Sequence, residues 1–355
     1  MPQSQPAHVS VIVPCRNEIR HIRAFLDSVF SQELGQIEMA VLVADGMSDD
    51  GTRVVLDEFE KRFATLKVLD NPEKIVSTGL NRAIRQAPDE IIIRMDVHTL
   101  YAQDYVRSCV EVLQETMADN VGGPALTRAE GYIAQAIAHA FQTPFARGGG
   151  KFRDPRYEGP ADSVPYGCWR KSTLARIGMF DEKFVRTQDY ELNVRIVSSG
   201  GKVWQSPKIA SWYWARTSLS ELFQQYFQYG FWKVAVSRKH RRPASWRDFV
   251  PGLCILVGAT LLLCAGGASL GGASRWRNVF LDVWLILASL YSIASFAAAF
   301  SVARRKGWIF LPFLPIVFAT YHLSHGLGFL LGVLYPAANW ERPNSIQKVL
   351  TAITR

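Results

Sequence analysis

Charge is what the last third of this chain has least of. Within Phe249–Leu270, Val279–Val302 and Ile309–Tyr335 the sole ionisable acid is Asp282, near one end, and there is no lysine or arginine. Each run is about twenty residues or more, long enough to cross a bilayer. Three buried helices of a large soluble domain would have the same composition. The residues flanking the runs (Trp246, Trp276, Trp308 and Tyr335) favour the membrane, where aromatic rings sit at the interface. Cysteine is also scarce. Cys15, Cys109, Cys168, Cys254 and Cys264 are scattered without C-x-x-C spacing, which argues against a disulfide framework or a zinc site and fits reduced thiols facing a cytosol. Met1–His8 has no basic stretch leading into a long apolar run, so no signal peptide is expected. Internal repeats and low-complexity segments are absent.

What is present is a basic balance, a formal net charge of +9, with much of it placed beside the apolar runs. Arg238, Lys239, Arg241, Arg242 and Arg247 precede the first run, and Arg304, Arg305 and Lys306 separate the second from the third. Membrane topology explains these clusters better than nucleic acid does, and no nucleic-acid partner is expected. The first inter-run loop holds Arg275 and Arg277, and the tail holds Arg342, Lys348 and Arg355. If all three runs cross, this asymmetry puts the N-terminal half inside and the C-terminus outside.

The first 233 or so residues have another character. Val9–Val13, Met39–Ala44, Leu66–Leu69 and Ile91–Met95 read as buried strands. After the first, Asn17 reads as a helix N-cap, with Ile22, Phe25, Leu26, Val29 and Phe30 at helical spacing. Such alternation predicts a three-layer α/β sheet, mostly parallel. The stretch from Arg147 to Pro165, rich in Gly, Pro and charge, reads as a mobile loop.

Four features carry candidate chemistry. Pro14 closes a strand and Asn17–Glu18 opens a helix at its C-terminal edge, where open α/β sheets bind ligands. Asp45 ends the next strand and is followed by a turn holding Asp49, Asp50 and Gly51; Asp50 reads best as a cap. The apolar strand Ile91–Met95 delivers Asp96, with His98 two residues on and pointing the same way. A carboxylate and an imidazole there suit a divalent ion against a diphosphate. Lastly, Thr187-Gln188-Asp189 opens a helix, where an acid either caps the backbone or serves as a general base.

In this order the four resemble the family-2 inverting glycosyltransferases, over roughly Val9 to Trp232. The resemblance implies a GT-A fold and transfer of a sugar from a nucleoside-diphosphate donor, a UDP-sugar foremost. It implies that Pro14, Asn17, Glu18, Asp45, Lys74 and Asp96 bind the nucleotide sugar and that Asp189 is the catalytic base. The family's D-x-D metal motif appears as Asp96-Val97-His98, implying a divalent ion, Mn or Mg, on Asp96 and His98. Imidazole suits Mn better than Mg. The Glu-Asp pair appears as Gln188-Asp189, which lacks one neighbouring negative charge.

Leu219, Leu222, Phe223, Tyr226, Phe227, Phe231 and Val234 form a wide apolar helical face, with Glu221, Gln225, Gln228, Tyr229 and Trp232 opposite. A helix of this kind ahead of the first run reads as one lying in the membrane interface. Membrane-bound family members carry Q-x-x-R-W here, which implies acceptor contacts at Gln225, Gln228, Tyr229 and Trp232. The Asp-x-His variant and the Gln-rich helix together resemble the succinoglycan-type exopolysaccharide glucosyltransferases of bacteria. The expected layout is a GT-A-like domain over 1–217, an interface helix and basic linker over 218–248, spans near 249–270, 279–302 and 309–335, and a tail over 336–355. The implied setting is a bacterial inner membrane, with the catalytic domain cytoplasmic and a lipid-linked saccharide as acceptor. A processive synthase and a degenerate, non-catalytic membrane subunit are the competing readings. His322 and His325, inside the third run, read as neutral imidazoles bonded to neighbouring helices.

Overall fold

The computed structural model describes residues 7–147, 151–241 and 246–335. Residues 148–150 of the expected loop, Arg242 of the basic linker and the basic residues of the tail lie outside the described residues. Numbered along the chain, the elements begin with β1 (Ala7–Cys15), α1 (Ile22–Phe30), β2 (Ile37–Asp45), α2 (Thr52–Arg62), β3 (Leu66–Asp70), α3 (Val76–Gln86) and β4 (Ile91–Arg94). There follow β5 (Thr99–Tyr101), α4 (Tyr105–Thr116), β6 (Asn120–Gly122), β7 (Leu126–Arg128), α5 (Tyr132–Phe141), α6 (Pro144–Arg147), β8 (Gly159–Pro160) and β9 (Cys168–Arg170). The chain continues through α7 (Lys171–Ile177), α8 (Gln188–Ser198), β10 (Val203–Gln205) and β11 (Ser211–Trp214). Its helical end comprises α9 (Leu219–Lys239), α10 (Val250–Leu270), α11 (Ser274–Lys306) and α12 (Leu314–Leu334). Two units result: residues 1–128 with 150–214, and residues 129–149 with 215–355.

The first unit is built on an eight-stranded sheet in the order β3-β2-β1-β4-β9-β6-β10-β8. The four predicted strands are present, and β3, β2, β1 and β4 lie parallel to one another. Alternate residues feed opposite layers. Val11, Val13, Val41 and Val43 pack against Phe25, Leu26 and Phe59. Ile12, Leu42 and Ile92 pack against Leu80, Leu192 and Ile196. Because both faces are covered, the strand sequences are apolar runs rather than alternations. The other half of the sheet is mixed: β9 runs antiparallel to both β4 and β6. The chain reaches β9 from the edge where β4 ends, through Gly167, whose carbonyl accepts from the Arg94 N–H at 3.0 Å. A second sheet has the order β5-β11-β7.

One local expectation fails. Asn17 does not cap α1, whose first residue is Ile22. Asn17 sits at φ +55° and spends its amide on the neighbouring loop.

In the second unit, three helices are long and apolar enough to cross a membrane: α10, α11 and α12. α9, expected in the interface, packs along α12. Small residues allow a close approach: a Cβ at Gly328 would lie 1.9 Å from the Phe227 carbonyl oxygen, and one at Gly230 would lie 2.1 Å from that of His325. Tyr226 and Tyr321 meet edge to face at 4.4 Å. The Arg238 guanidinium donates to the Val333 and Tyr335 carbonyls, both at 2.7 Å, satisfying the C-terminus of α12. The two helices therefore run parallel. His322 is bonded on both ring nitrogens, to the Tyr291 hydroxyl at 2.9 Å and the Phe145 carbonyl at 3.0 Å, as a neutral imidazole would be.

Gly328→Leu should destabilise the helical unit by about 1–3 kcal/mol through overpacking. Thermal unfolding of the full chain in detergent micelles measures it; an unchanged midpoint would refute the close crossing.

Candidate active site

The parallel strands β3, β2, β1 and β4 end at one edge, and the order of connection reverses between β1 and β4, where ligands bind in such sheets. Every acid singled out in the sequence from Glu18 to Asp96 lies at this edge. Cys15 and Asp45 are register partners at the ends of β1 and β2, and Asp45 and Asp70 at the ends of β2 and β3.

The loops after β1 and β2 are tied together. The Asn17 amide donates to Asp49 Oδ1 at 2.9 Å, and its Oδ1 accepts from the Asp49 N–H at 3.1 Å. Asp50 accepts from the Thr52 N–H at 3.0 Å, from the Thr52 hydroxyl at 2.6 Å and from the Ile19 N–H at 3.1 Å. It thus holds the start of α2, as expected of a cap, and these donors keep its carboxyl below the usual range even though desolvation, the largest single influence, opposes them. Asp45 is buried. Its carboxylate accepts from the Ser48 hydroxyl and faces Arg53 Nη1 at 3.5 Å. It therefore anchors its own turn. Pro14 lies within β1, which runs one residue further, and Lys74 is exposed ahead of α3 in a left-handed conformation.

Across the switch point, Glu18 and His98 face each other at 3.4 Å, His98 being 61 % exposed. Asp96 stands beside them at the start of the β4–β5 turn, its N–H donating to the Tyr101 hydroxyl at 2.7 Å. Its carboxylate takes both Arg94 Nε, at 2.8 Å, and Arg94 Nη2, at 2.9 Å. The third nitrogen, Arg94 Nη1, is ion-paired to Asp189 in the first turn of α8. Arg94 thus joins the two acids that the sequence marked for different tasks. It was missed, yet an arginine inside Ile91-Ile-Ile-Arg-Met95 is a signal: a charge in a buried strand needs partners.

Burial drives the Asp189 carboxyl up to about 6, the Arg94 cation opposes the rise and the Asp96 anion adds to it. Glu191, also in the first turn of α8, is fully buried and belongs to structure: it is ion-paired to Arg195 at 2.8 Å.

Among the described residues no three His, Cys, Asp or Glu side chains are clustered for a metal. An ion that draws most of its ligands from phosphate needs only one or two protein groups. A carboxylate with lone pairs left beyond its two bonds to Arg94, and a largely exposed imidazole, fit that demand.

Of the residues assigned to an acceptor, Gln228 and Trp232 are each 2 % exposed, so the polar stripe of α9 is not an open face. Gln225 and Tyr229 remain half-buried and bond to each other at 3.1 Å. Helical periodicity shows which residues share a face, not what covers it.

The first unit is thus a GT-A-like α/β domain with acids at the switch point and a further acid at a helix start. Residues 10–169 match the family described as Glycosyl transferase family 2, and this match together with the relatives below makes the chain a glycosyltransferase. It is 28 % identical over 303 residues to the Succinoglycan biosynthesis protein ExoA of Rhizobium meliloti (strain 1021), covering 84 % of this chain and 92 % of that protein. It is also 27 % identical over 239 residues to a dolichyl N-acetyl-alpha-D-glucosaminyl phosphate 3-beta-D-2,3-diacetamido-2,3-dideoxy-beta-D-glucuronosyltransferase of Methanococcus voltae, covering 65 % of this chain and 74 % of that one. Among solved structures, the mannosyltransferase PcManGT of Pyrobaculum calidifontis, in complex with GDP-Man and Mn2+, shares the fold: TM-score 0.59, 17 % identity, 93 % of this chain and 88 % of that chain covered.

Arg94→Met should cost about 3 kcal/mol of stability at neutral pH, because two anions lose their shared cation. Part of the loss should be regained as pH falls toward 6, because without the cation Asp189 takes up its proton at higher pH than in the wild type. Unfolding midpoints of wild type and variant across pH 5–8 test this, and a pH-independent difference would refute the bridge.

Proposed function

We propose that the protein transfers a sugar from a nucleoside-diphosphate donor, with inversion, to a lipid-linked saccharide at a bacterial inner membrane, in exopolysaccharide or cell-envelope glycan assembly. The observation that carries the reading is the Arg94-bridged pair, Asp96 on the donor edge and Asp189 on a neighbouring helix. The names of the relatives favour the setting. In this reading Glu18, Asp45 and Asp96, with Asn17 and Lys74, bind the nucleotide sugar at the strand edge. Asp96 and His98 would hold a divalent ion, Mn or Mg, which when bound neutralises charge on the departing diphosphate.

Asp189 takes the proton of an acceptor hydroxyl. The hydroxyl oxygen bonds to the anomeric carbon as the bond to the diphosphate breaks, and the electron pair leaves with the diphosphate. A carboxyl held at about 6 is ionised at neutral pH yet more basic than an ordinary aspartate, as a general base should be. Arg94 fixes its position and tempers its basicity. Gln225 and Tyr229 are the α9 residues assigned to the acceptor. The basic residues from Arg238 to Arg247 and from Arg304 to Lys306 support a cytoplasmic side for the catalytic domain.

Asp189→Asn should lower kcat by about 100-fold or more while donor affinity stays within about twofold. Turnover on membranes with a lipid-linked acceptor, alongside nucleotide binding, measures both; near-normal turnover would remove Asp189 from the mechanism. The sign of the pH dependence also follows. The active form of Asp189 is the anion, so kcat should fall below pH 6. Arg94→Gln, which removes the cation holding the pKa down, should move that limb to higher pH.

A further inference from the structure

Length and composition allow α12 to cross a bilayer, but its contacts bring its second half back to the first turns of α10. α10 and α11 are joined by the short turn Gly271–Ala273 and pack antiparallel, with Gly258 against Trp284. The start of α10 and the end of α11 thus lie at the same end of a hairpin. α12 follows the end of α11 through a single turn, Trp308–Phe310, so it starts on that side. Its second half returns there: a Cβ at Gly326 would meet the Pro251 carbonyl at 2.8 Å and Ile255 at 2.6 Å, and Phe329 meets Phe249 at 4.9 Å. Three successive spans would run up, down and up, placing the first turns of α10 beside the first turns of α12. They lie beside its second half instead.

Two further observations agree. α9 runs parallel to α12 from Tyr226–Tyr321 to Arg238–Tyr335, so the two share an orientation to the membrane. α9 is not among the helices apolar enough to cross, and its Lys233 is ion-paired to Asp248. Charge of this kind is costly at the bilayer centre. Burial also differs: 6 % of the apolar stretch of α10 and 17 % of that of α11 are buried, against 44 % for α12. What α12 leaves exposed is mainly one stripe, Ile316, Leu323, Leu327, Leu331 and Leu334, with Val333 off it in the last turn. A helix with one apolar stripe outward and the other face on protein is built for a surface.

We propose that the α10–α11 hairpin alone crosses the membrane, and that α12 lies in the bilayer interface across its base, beside α9, with this stripe in the acyl chains. The C-terminus then lies on the side of the basic linker, not outside as three crossings would have it. The hairpin that α12 packs against exposes apolar residues along its length, among them Leu256, Leu263, Leu285, Ile286 and Ile293, which is why lipid rather than a protein is the partner assigned to the stripe.

Two measurements on the full chain test the arrangement. Side-specific reporters fused after Arg355, and inserted at Gly272 in the hairpin turn, should read opposite sides of the membrane; the same side would overturn the proposal. In a Cys254→Ser, Cys264→Ser background, nitroxides on Ile316→Cys, Leu323→Cys and Leu331→Cys should report one depth, within about a helical turn, from collisions with oxygen and with an aqueous nickel chelate. A progressive change of depth from the first site to the third would overturn it equally. The first measurement uses the unaltered helix, so a variant that fails to fold leaves the question answerable.

Discussion

A guanidinium buried in a strand must be matched by anions, and Arg94 is matched by two that come from distant parts of the chain. Asp96 follows it by two residues; Asp189 arrives on α8 after the mixed half of the sheet has been laid down. Neither acid would be stable so close to the other without the cation between them. The interaction therefore sets the spacing of the donor edge and the candidate base, and it sets the chemistry of that base. Without Arg94 the Asp189 carboxylate would be buried beside another anion with nothing opposing its protonation.

The rest of the site is arranged around this pair by the sheet. β1 and β4 bring Glu18 and His98 to opposite banks of the switch point, and β2 adds Asp45 with its turn already engaged by Ser48. Two departures from the family pattern, His98 and Gln188, fall on residues that are partly open. Two positions that hold the scaffold together, Arg94 and Glu191, are buried and ion-paired. Substitution at the open positions changes the chemistry offered to a ligand without disturbing the packing beneath it.

Much of this was legible in the residues themselves. Strands covered on both faces leave continuous apolar runs, so β1 to β4 could be read directly, and the long uncharged runs announced helices fit for lipid. The acids at the strand ends followed from the strands. Asp189 was legible only through a resemblance, because an acid at a helix start has a structural use far more often than a chemical one. The role of Arg94 depends on α8, far along the chain, and no local pattern reveals such a partner. Likewise Gly328 and Gly332 look like helix-weakening residues until α9 is seen lying against them. What covers the polar stripe of α9 was not legible, because sequence periodicity carries no information about what packs on a face.

The reciprocal bonds between Asn17 and Asp49, described above as a clip between two loops, have a consequence for entropy. Loops that order only on binding subtract their lost freedom from the affinity. Here both amide groups of Asn17 are committed, and Asp50 holds the Ile19 and Thr52 backbone, before any nucleotide arrives. That freedom has been surrendered on folding, so this part of the rim meets its ligand as a rigid body. Association at this edge should carry a small heat-capacity signature, since little apolar surface remains to be buried by loop closure.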